Sequence, residues 1–255
     1  MGSIGFDVTD GVATVTLDNQ AARNAVDATM SEQLARAYAQ IETRDDIRVA
    51  VLTGAGDRAF SSGGYIPGYL DNAVVGTGAT NTRVPLPKPW RIWKPFIAAI
   101  RGACVAGGFG LALACDLRVA AQDATIGPSG LKRGAIPGGE QTQRLVRLIG
   151  LSRALEVLLL SRYIDGVEAH RLGIVHRVVP ATEVLDTAYE LAGVLASFPP
   201  AAVATTKRLA YEGLDLSWDE AFAWEERLTE ESFRTADARE GFAAFIEDRP
   251  ADFGR

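Results

Sequence analysis

The feature that most constrains the fold is an apolar run, residues 96–100, that leads directly into a glycine-rich segment, RGACVAGGFG (101–110). The run has the length of a buried strand, and the Gly/Ala-rich residues that follow are typical of a helix. Two further buried-strand patterns lie at 49–52 and 117–120. Short strands that alternate with helical stretches favour a sheet with crossover connections. We therefore predict an α/β core in the first two thirds of the chain.

Both ends of the chain extend this pattern. Residues 4–8 and 12–17 predict a β-hairpin, and Asp27 is well placed to cap a helix with apolar residues at helical spacing. The last part of the chain is almost wholly helical, with amphipathic runs at 140–149, 151–161, 182–197, 201–213 and 217–247. We assign residues 1–195 to the α/β core and residues 196–255 to a helical C-terminal subdomain.

Composition and charge exclude several functions. The net charge of −6 over 255 residues argues against broad nucleic-acid binding, although local arginines and helix N-termini can still bind a polyanion. A membrane span is not expected, because no run of about 18 apolar residues is uninterrupted, and no secretory pattern opens the sequence. We expect a cytoplasmic protein in which Cys104 and Cys115 are buried, reduced thiols. Two cysteines and two histidines at these spacings cannot assemble a metal cluster.

Two glycine-containing segments are the candidates for chemistry, AFSSGGYI (59–66) and residues 101–110. Glycine lets backbone N–H groups approach a ligand, and a helix N-terminus adds partial positive charge. Two such N–H groups that converge on one oxygen would stabilise an enolate or a tetrahedral oxyanion. Glycines at strand–helix turns more often serve packing, so neither segment defines a site alone.

Several motifs in a fixed order resemble the enoyl-CoA hydratase/isomerase family of the crotonase superfamily, over about residues 4–250. The matching segments are RNAV (23–26), VLTGAG (51–56), AFSSGGYI (59–66), KPFIAAIRGACVAGG (94–108), ACDLRVA (114–120), IPGGEQTQRLVRLIG (136–150), SRYIDGVEAHRLGIVHRVVP (161–180) and EGFAAFIEDR (240–249). The resemblance implies an α/β crotonase (ClpP/crotonase-like) fold, with a spiral core of repeated ββα-type units. It also implies an acyl-CoA thioester substrate, with coenzyme A as part of the substrate and no permanently bound cofactor. Relatives are homotrimers or dimers of trimers, in which the C-terminal helices trimerise or cover an active site.

Residue by residue, the family's oxyanion-hole amides correspond to Gly64 and Gly107. The backbone at 62–66 corresponds to the part that holds adenine and pantetheine. Arg23 corresponds to a basic residue near the coenzyme A phosphates, and Arg249 is a second candidate; ordinary solvated charge is the alternative for both. The coenzyme A-binding residues implied by the resemblance are Arg23, Ala25, Ser62, Gly64, Tyr65, Ile66, Gly108, Pro137 and Arg249.

The departures from the family pattern concern the proton-handling groups. The two glutamates of the hydratases correspond to Gly110 and Gly130, so both carboxylates are absent, at a cost of roughly 10²–10⁴-fold each if nothing compensates. Glu140 is a candidate substitute acid or base, or else a first-turn glutamate that complements the helix dipole. Tyr65, where many relatives carry aspartate, could donate a proton or simply line the pocket.

Three functions therefore stay open: a hydratase/isomerase-type enzyme, a hydrolase or C–C bond-cleaving enzyme acting on a CoA thioester or β-diketone, and a catalytically inactive acyl-CoA-binding protein. The irregular segment 68–93, with Trp90 and Trp93, is either a lid or binding element or plain surface. We expect surface or packing roles for His170 and His176, and a structural, hydrogen-bonded role for Asp116. These last assignments leave the glycine segments as the centre of the predicted site.

Overall fold

The computed structural model describes residues 2–67, 84–88 and 91–253. The strands are β1 (Ser3–Thr9), β2 (Val12–Asp18), β3 (Val49–Gly54), β4 (Ala59–Ser61), β5 (Phe96–Ile100), β6 (Ala103–Val105), β7 (Leu117–Ala121), β8 (Thr125–Gly127) and β9 (Arg177–Val179). The helices are α1 (Ala28–Thr43), α2 (Gly107–Ala114), α3 (Gln141–Ile149), α4 (Leu151–Leu159), α5 (Gly166–Arg171), α6 (Val184–Ser197), α7 (Pro200–Glu212), α8 (Trp218–Ser232) and α9 (Ala236–Ile246). Most of the predicted lid or binding segment, including Trp90, lies outside the described residues.

Two sheets organise the described part of the core. The larger has the order β1-β2-β3-β5-β7-β9, with an antiparallel β1–β2 hairpin and parallel pairing thereafter, and the smaller has the order β4-β6-β8. Each turn of the chain gives one strand to the large sheet and the next to the small sheet, as β3 and β4, β5 and β6, and β7 and β8 do. This alternation confirms the predicted α/β spiral of strand pairs. It also brings the segments that follow β4 and β6 next to each other.

Apolar burial explains why the large sheet forms. Strands β3 and β5 are buried at every residue, because α6 packs against β3, β5 and β7. Helix α1 packs against β1 and β2 and buries Met30, Leu34 and Ile41 completely. The carboxylate of Asp27 accepts the Met30 N–H at 2.9 Å, so the predicted N-cap is confirmed. Among the described helices, none has both the length and the apolar character needed to cross a bilayer.

The C-terminal helices differ from the prediction at one point. The stretch 217–247 is not continuous but divides into α8 and α9 around Phe233. The Thr235 hydroxyl accepts the Ala238 N–H at 3.1 Å and donates to the Ser232 carbonyl at 2.8 Å. Local side-chain bonds of this kind compete with helix continuation, which explains why a new helix begins here.

A buried ion pair joins α7 to the core. The Asp116 carboxylate accepts hydrogen bonds from Lys207 Nζ at 2.7 Å, the Phe96 N–H at 2.8 Å and the Tyr211 hydroxyl at 3.3 Å. The predicted structural role of Asp116 is confirmed. Burial lowers the pKa of Lys207, and the negative charge of Asp116 acts in the opposite direction. Lys207 also donates to the Lys94 carbonyl at 2.9 Å, so one ammonium group ties the helix to the start of β5.

Candidate functional site

The first glycine segment is fixed by a short network around Gly63. Gly63 has a φ of +96°, a left-handed conformation that glycine adopts without strain. The Val26 N–H donates to the Gly63 carbonyl at 2.7 Å, and the Tyr65 N–H donates to the Val26 carbonyl at 3.0 Å. These two bonds hold the residues on either side of Gly64. The Gly64 N–H itself has no hydrogen-bond acceptor among the described residues.

The second glycine segment contains the start of α2, and the residue just before the helix has a strained backbone conformation. Ala106 has φ 53° and ψ −124°, which is uncommon for a residue with a side chain and is typical of functional sites. Two hydrogen bonds hold it, from the Ala106 N–H to the Gly127 carbonyl and from the Gly110 N–H to the Ala106 carbonyl, both 3.1 Å long. Gly107 is the first residue of the helix, where an N–H has no intrahelical partner, and no other described residue accepts it.

The two segments are in direct contact. A Cβ atom added to Gly63 would lie 2.6 Å from the Gly107 nitrogen, and one added to Gly107 would lie 3.4 Å from the Gly64 nitrogen. A Cβ on Gly108 would lie 2.2 Å from the Ser61 carbonyl oxygen, so only glycine lets α2 approach β4 this closely. The result is two neighbouring backbone N–H groups that have no acceptor in the described part of the chain, one of them at the positive end of a helix.

A cavity of about 420 Å³ lies beside Gly64, whereas Gly107 is not among its lining residues. It is lined by six of the predicted binding residues: Arg23, Ala25, Ser62, Gly64, Tyr65 and Ile66. The remaining lining comes partly from residues that the sequence did not predict to bind ligand, namely Ala103 and Val105 of the second glycine segment, and Thr125, Arg133 and Tyr163. Short strands β6 and β8 contribute the first three of these. No sequence signal identifies Arg133 or Tyr163, because only the fold brings their segments to the cavity.

Backbone atoms fill the space beside Gly110 and Gly130, the two glycines predicted to correspond to the family's glutamates. A Cβ on Gly110 would lie 2.6 Å from the Gly139 carbonyl oxygen. A Cβ on Gly130 would lie 2.6 Å from the Ile136 oxygen and 2.7 Å from the Ala135 oxygen. All three carbonyls belong to the turn 135–139, which therefore packs too closely for a side chain at either position.

Glu140 follows this turn in a left-handed conformation, with φ 59°. One carboxylate oxygen accepts from Arg144 Nη2 at 2.6 Å and from Nε at 2.9 Å. The side chain is one third exposed, at 33 %. It does not cap α3, since no backbone N–H of the helix start donates to it, and it does not line the cavity described above. Its candidate role as an acid or base stays a prediction.

Other predicted residues lie elsewhere. Gly108 is buried beneath the amides, and Pro137 belongs to the turn without lining the cavity. Arg249 pairs with Glu240 at 2.6 Å and with Glu247 at 2.5 Å. The hydrogen bond from Arg249, followed by that from the Asp252 N–H, lowers the pKa of Glu240 to about 2. A single chain therefore does not bring Arg249 to the cavity. Its predicted contact with coenzyme A phosphates stays a prediction.

The cysteines and histidines also lie outside the cavity lining. Cys104 and Cys115 are buried and free, as predicted, and burial raises the pKa of Cys115 to about 12, which suits an inert thiol. His176 Nδ1 accepts the Arg118 N–H at 3.1 Å. Burial, followed by the charges of Arg118 and Arg177, lowers the pKa of His176 to about 4. His170 is exposed on α5.

Comparison with known proteins agrees with this architecture. The family model described as enoyl-CoA hydratase/isomerase matches residues 7–255. The chain is 36 % identical over 250 residues to an (E)-benzylidenesuccinyl-CoA hydratase of Thauera aromatica, covering 97 % of each protein. It is 33 % identical over 241 residues to a short-chain-enoyl-CoA hydratase of Clostridium acetobutylicum, covering 93 % of this chain and 92 % of the relative. A crystal structure of enoyl-CoA hydratase from Mycobacterium tuberculosis superposes with a TM-score of 0.88 at 34 % identity, over 98 % of each chain.

Proposed function

The chain belongs to the enoyl-CoA hydratase/isomerase family of enzymes, and from that premise we propose that it holds an acyl-CoA thioester with its carbonyl oxygen on the N–H groups of Gly64 and Gly107. The observation that carries this proposal is the contact between the two glycine segments. Both amides lack a protein acceptor among the described residues, and a Cβ on Gly107 would lie 3.4 Å from the Gly64 nitrogen. Preorganised backbone donors of this kind stabilise the charge that develops on an enolate oxygen.

The coenzyme A portion extends from these amides into the cavity. Six predicted binding residues line it, and Arg23 supplies positive charge for a phosphate. Coenzyme A is then part of the substrate, and the protein uses no resident cofactor. The ligand lies along the backbone of residues 62–66. The Gly63 carbonyl and the Tyr65 N–H already bond to the Val26 backbone, which leaves the Gly64 N–H between them available to the ligand.

The reaction itself is an acyl-CoA transformation of the hydratase/isomerase type in which the family's two glutamates are missing. Glu140 is the proposed substitute acid or base, since it directly follows the turn whose carbonyl packs on Gly110. The closure of Gly110 and Gly130 by backbone favours a second candidate. In that case the protein binds acyl-CoA without hydrating it, either as an inactive binding protein or as a hydrolase or C–C bond-cleaving enzyme that uses the same enolate stabilisation.

The polarisation of the thioester is the property to test. Infrared difference spectra of bound crotonyl-CoA, with ¹³C in the thioester carbonyl, should show a lower carbonyl stretching frequency than in water. Two N–H donors weaken the C=O bond, because they stabilise its charge-separated form. A bound ligand whose carbonyl frequency equals that in water would rule out the proposed oxyanion hole.

Turnover separates the two candidate functions. Hydration and double-bond migration of crotonyl-CoA and longer enoyl-CoAs report the first, and product formation from β-keto acyl-CoAs or β-diketones reports hydrolysis or C–C cleavage. Calorimetric binding without any product would identify an acyl-CoA-binding protein. The absence of binding would remove all of these functions.

Large exposed side chains on the C-terminal helices support a homotrimer or a dimer of trimers. Trp218 is 77 % exposed, Phe245 85 % and Ile246 81 % in the single chain. Apolar surface of this size is typical of interfaces between subunits. Light scattering after gel filtration should give three or six times the chain mass of 27.2 kDa. A monomer at micromolar concentration would contradict this assembly.

A further inference from the structure

The cavity extends across the whole width of the small sheet. On the β4 side, the Ser62 N–H donates to the Arg23 carbonyl at 2.9 Å, and Val26 forms a bridge with Gly64. On the β8 side, Ile126 forms a bridge with Ile164, the residue after Tyr163. Backbone spacing in sheets is about 4.8 Å, so the segments of Arg23 and Tyr163 are separated by four spacings, roughly 20 Å. A ligand that lies across this face meets different residues at its two ends.

Positive charge is concentrated at the Tyr163 end. Arg133 lines the cavity together with Tyr163, and Lys132 Nζ lies 3.9 Å from the centroid of the Tyr163 ring. The ring also packs against β8, since a Cβ on Gly127 would lie 3.2 Å from Tyr163 Cδ1. Lys132 is not among the residues that line the cavity, so its ammonium group adds positive charge beside the Tyr163 ring rather than inside the cavity.

These two cations have no carboxylate partner among the described residues. Several arginines do form ion pairs, such as Arg144 with Glu140 and Arg171 with Glu168. Within the described ranges, neither Lys132 nor Arg133 lies within ion-pairing distance of a carboxylate. Among the described residues, the Arg133 guanidinium donates only to the Ser129 carbonyl, at 3.3 Å. No described residue that lines the cavity is acidic.

We infer that Arg133 and Lys132, beside Tyr163, form a second anion subsite, across the small sheet from Arg23, which binds an oxyanion group of the acyl-CoA ligand. The group is a phosphate or carboxylate oxygen, since the guanidinium fork of Arg133 matches both. Coenzyme A offers a 3′-phosphate and a diphosphate, and a dicarboxylic acyl group offers a carboxylate. The subsite rests on the proposed function, because its ligand is the acyl-CoA held at Gly64 and Gly107.

Calorimetric titration with four probes tests the subsite and identifies the group. The probes are coenzyme A, 3′-dephospho-coenzyme A, butyryl-CoA and succinyl-CoA. Arg133→Gln removes the charge, Arg133→Lys retains it, and Arg147→Gln is the matched control on α3, where the exposed Arg147 side chain donates, among the described residues, only to Gln143. We expect Arg133→Gln to weaken at least one probe about fivefold to tenfold, the size of a charge-assisted contact at a partly exposed site. Arg133→Lys should recover part of that loss, and Arg147→Gln should bind as the wild type does.

The pattern of losses distinguishes the sources of the anion. Weaker binding of coenzyme A but not of its dephospho form assigns the 3′-phosphate, and equal weakening of all four probes assigns the diphosphate. A selective loss for succinyl-CoA over butyryl-CoA assigns an acyl carboxylate. Wild-type affinity of Arg133→Gln for all four probes would overturn the subsite and leave the proposed function intact. Failure of the wild type to bind any probe would overturn both.

Discussion

The carbonyl oxygen of Gly139 lies only 2.6 Å from the place where a Cβ atom on Gly110 would be. Carbon and oxygen cannot approach so closely without displacement, and here the obstacle is backbone rather than a flexible side chain. The glycine in the middle of α2 is therefore needed for packing, although glycine is an unfavourable helix residue.

Gly110→Ala should lower the free energy of unfolding. Alanine at an exposed helix position gains about 1 kcal/mol over glycine, but overpacking costs typically about 1–3 kcal/mol, so we expect a net loss. Gly110→Glu should lose more and gain no hydratase activity. Urea unfolding measures both variants, and Gly138→Ala is the matched control, since nothing lies within 4 Å of a Cβ there. A Gly110→Ala protein as stable as its parent would show that the turn yields easily.

Lys207→Met should cost about 3–5 kcal/mol of unfolding free energy, because it leaves the Asp116 carboxylate without its buried cation. The Lys207 side chain is only 7 % exposed. Arg36→Met is the control. The Arg36 side chain is 75 % exposed and its partner Glu32 is 70 % exposed, and ion pairs between such exposed side chains contribute less than about 1 kcal/mol. Equal losses in chemical denaturation would mean that the buried pair does not hold α7 to the core.

Acidification should destabilise the protein through His176. Its folded-state pKa of about 4 lies below the ordinary value of 6.5, so between these values the unfolded chain binds a proton that the folded chain does not. Stability therefore falls as the pH drops from 6.5 to 4, by less than the roughly 3 kcal/mol of an unscreened shift, because solvent screens the partly exposed ring. His176→Asn retains an acceptor but cannot titrate, and its unfolding free energy should depend less on pH in this window. Parallel pH profiles for both proteins would exclude His176 as the cause.

Glu140→Gln should reduce turnover of the best acyl-CoA substrate by roughly 10²–10⁴-fold, with a smaller change in ligand affinity, if the carboxylate handles a proton. Glutamine preserves size and one acceptor oxygen, so the fold should be retained. Glu156→Gln, which removes a carboxylate from an exposed pair with Arg162, is the control. Full activity in Glu140→Gln would leave Glu140 as a partner of Arg144 only.

The sequence predicts the parts of this fold in which local pattern and burial agree. Strand β5 is apolar at every position and is followed by the glycines that begin α2, so both could be predicted. The resemblance implies paired strands, but local pattern does not predict the individual strands of the small sheet, because they are only three residues long and Ala103, Cys104 and Val105 show no periodicity. The break at Phe233 was missed because Thr235 has no distinctive signal amid a helical composition.

The candidate site also has a part that the sequence predicts and a part that it does not. The glycines at 64 and 107 stand in recognisable motifs, and the structure brings their segments into contact. Arg133 and Tyr163 lie in segments separated in sequence, which meet only because Ile164 pairs with Ile126 in β8. Long-range pairing of this kind leaves no trace in local composition. The contact between Gly110 and the Gly139 carbonyl also cannot be predicted from local sequence, because it depends on the path of a turn that is distant along the chain.

The turn at 135–139 also restricts the order in which this protein could evolve. It packs against Gly110 and Gly130 together, so a glutamate introduced at either position meets backbone before it can extend into open space. A single substitution therefore cannot place a carboxylate at either position, and the turn must be remodelled first. Selection on this sequence is expected to change other positions more easily than to build paired carboxylates at these two.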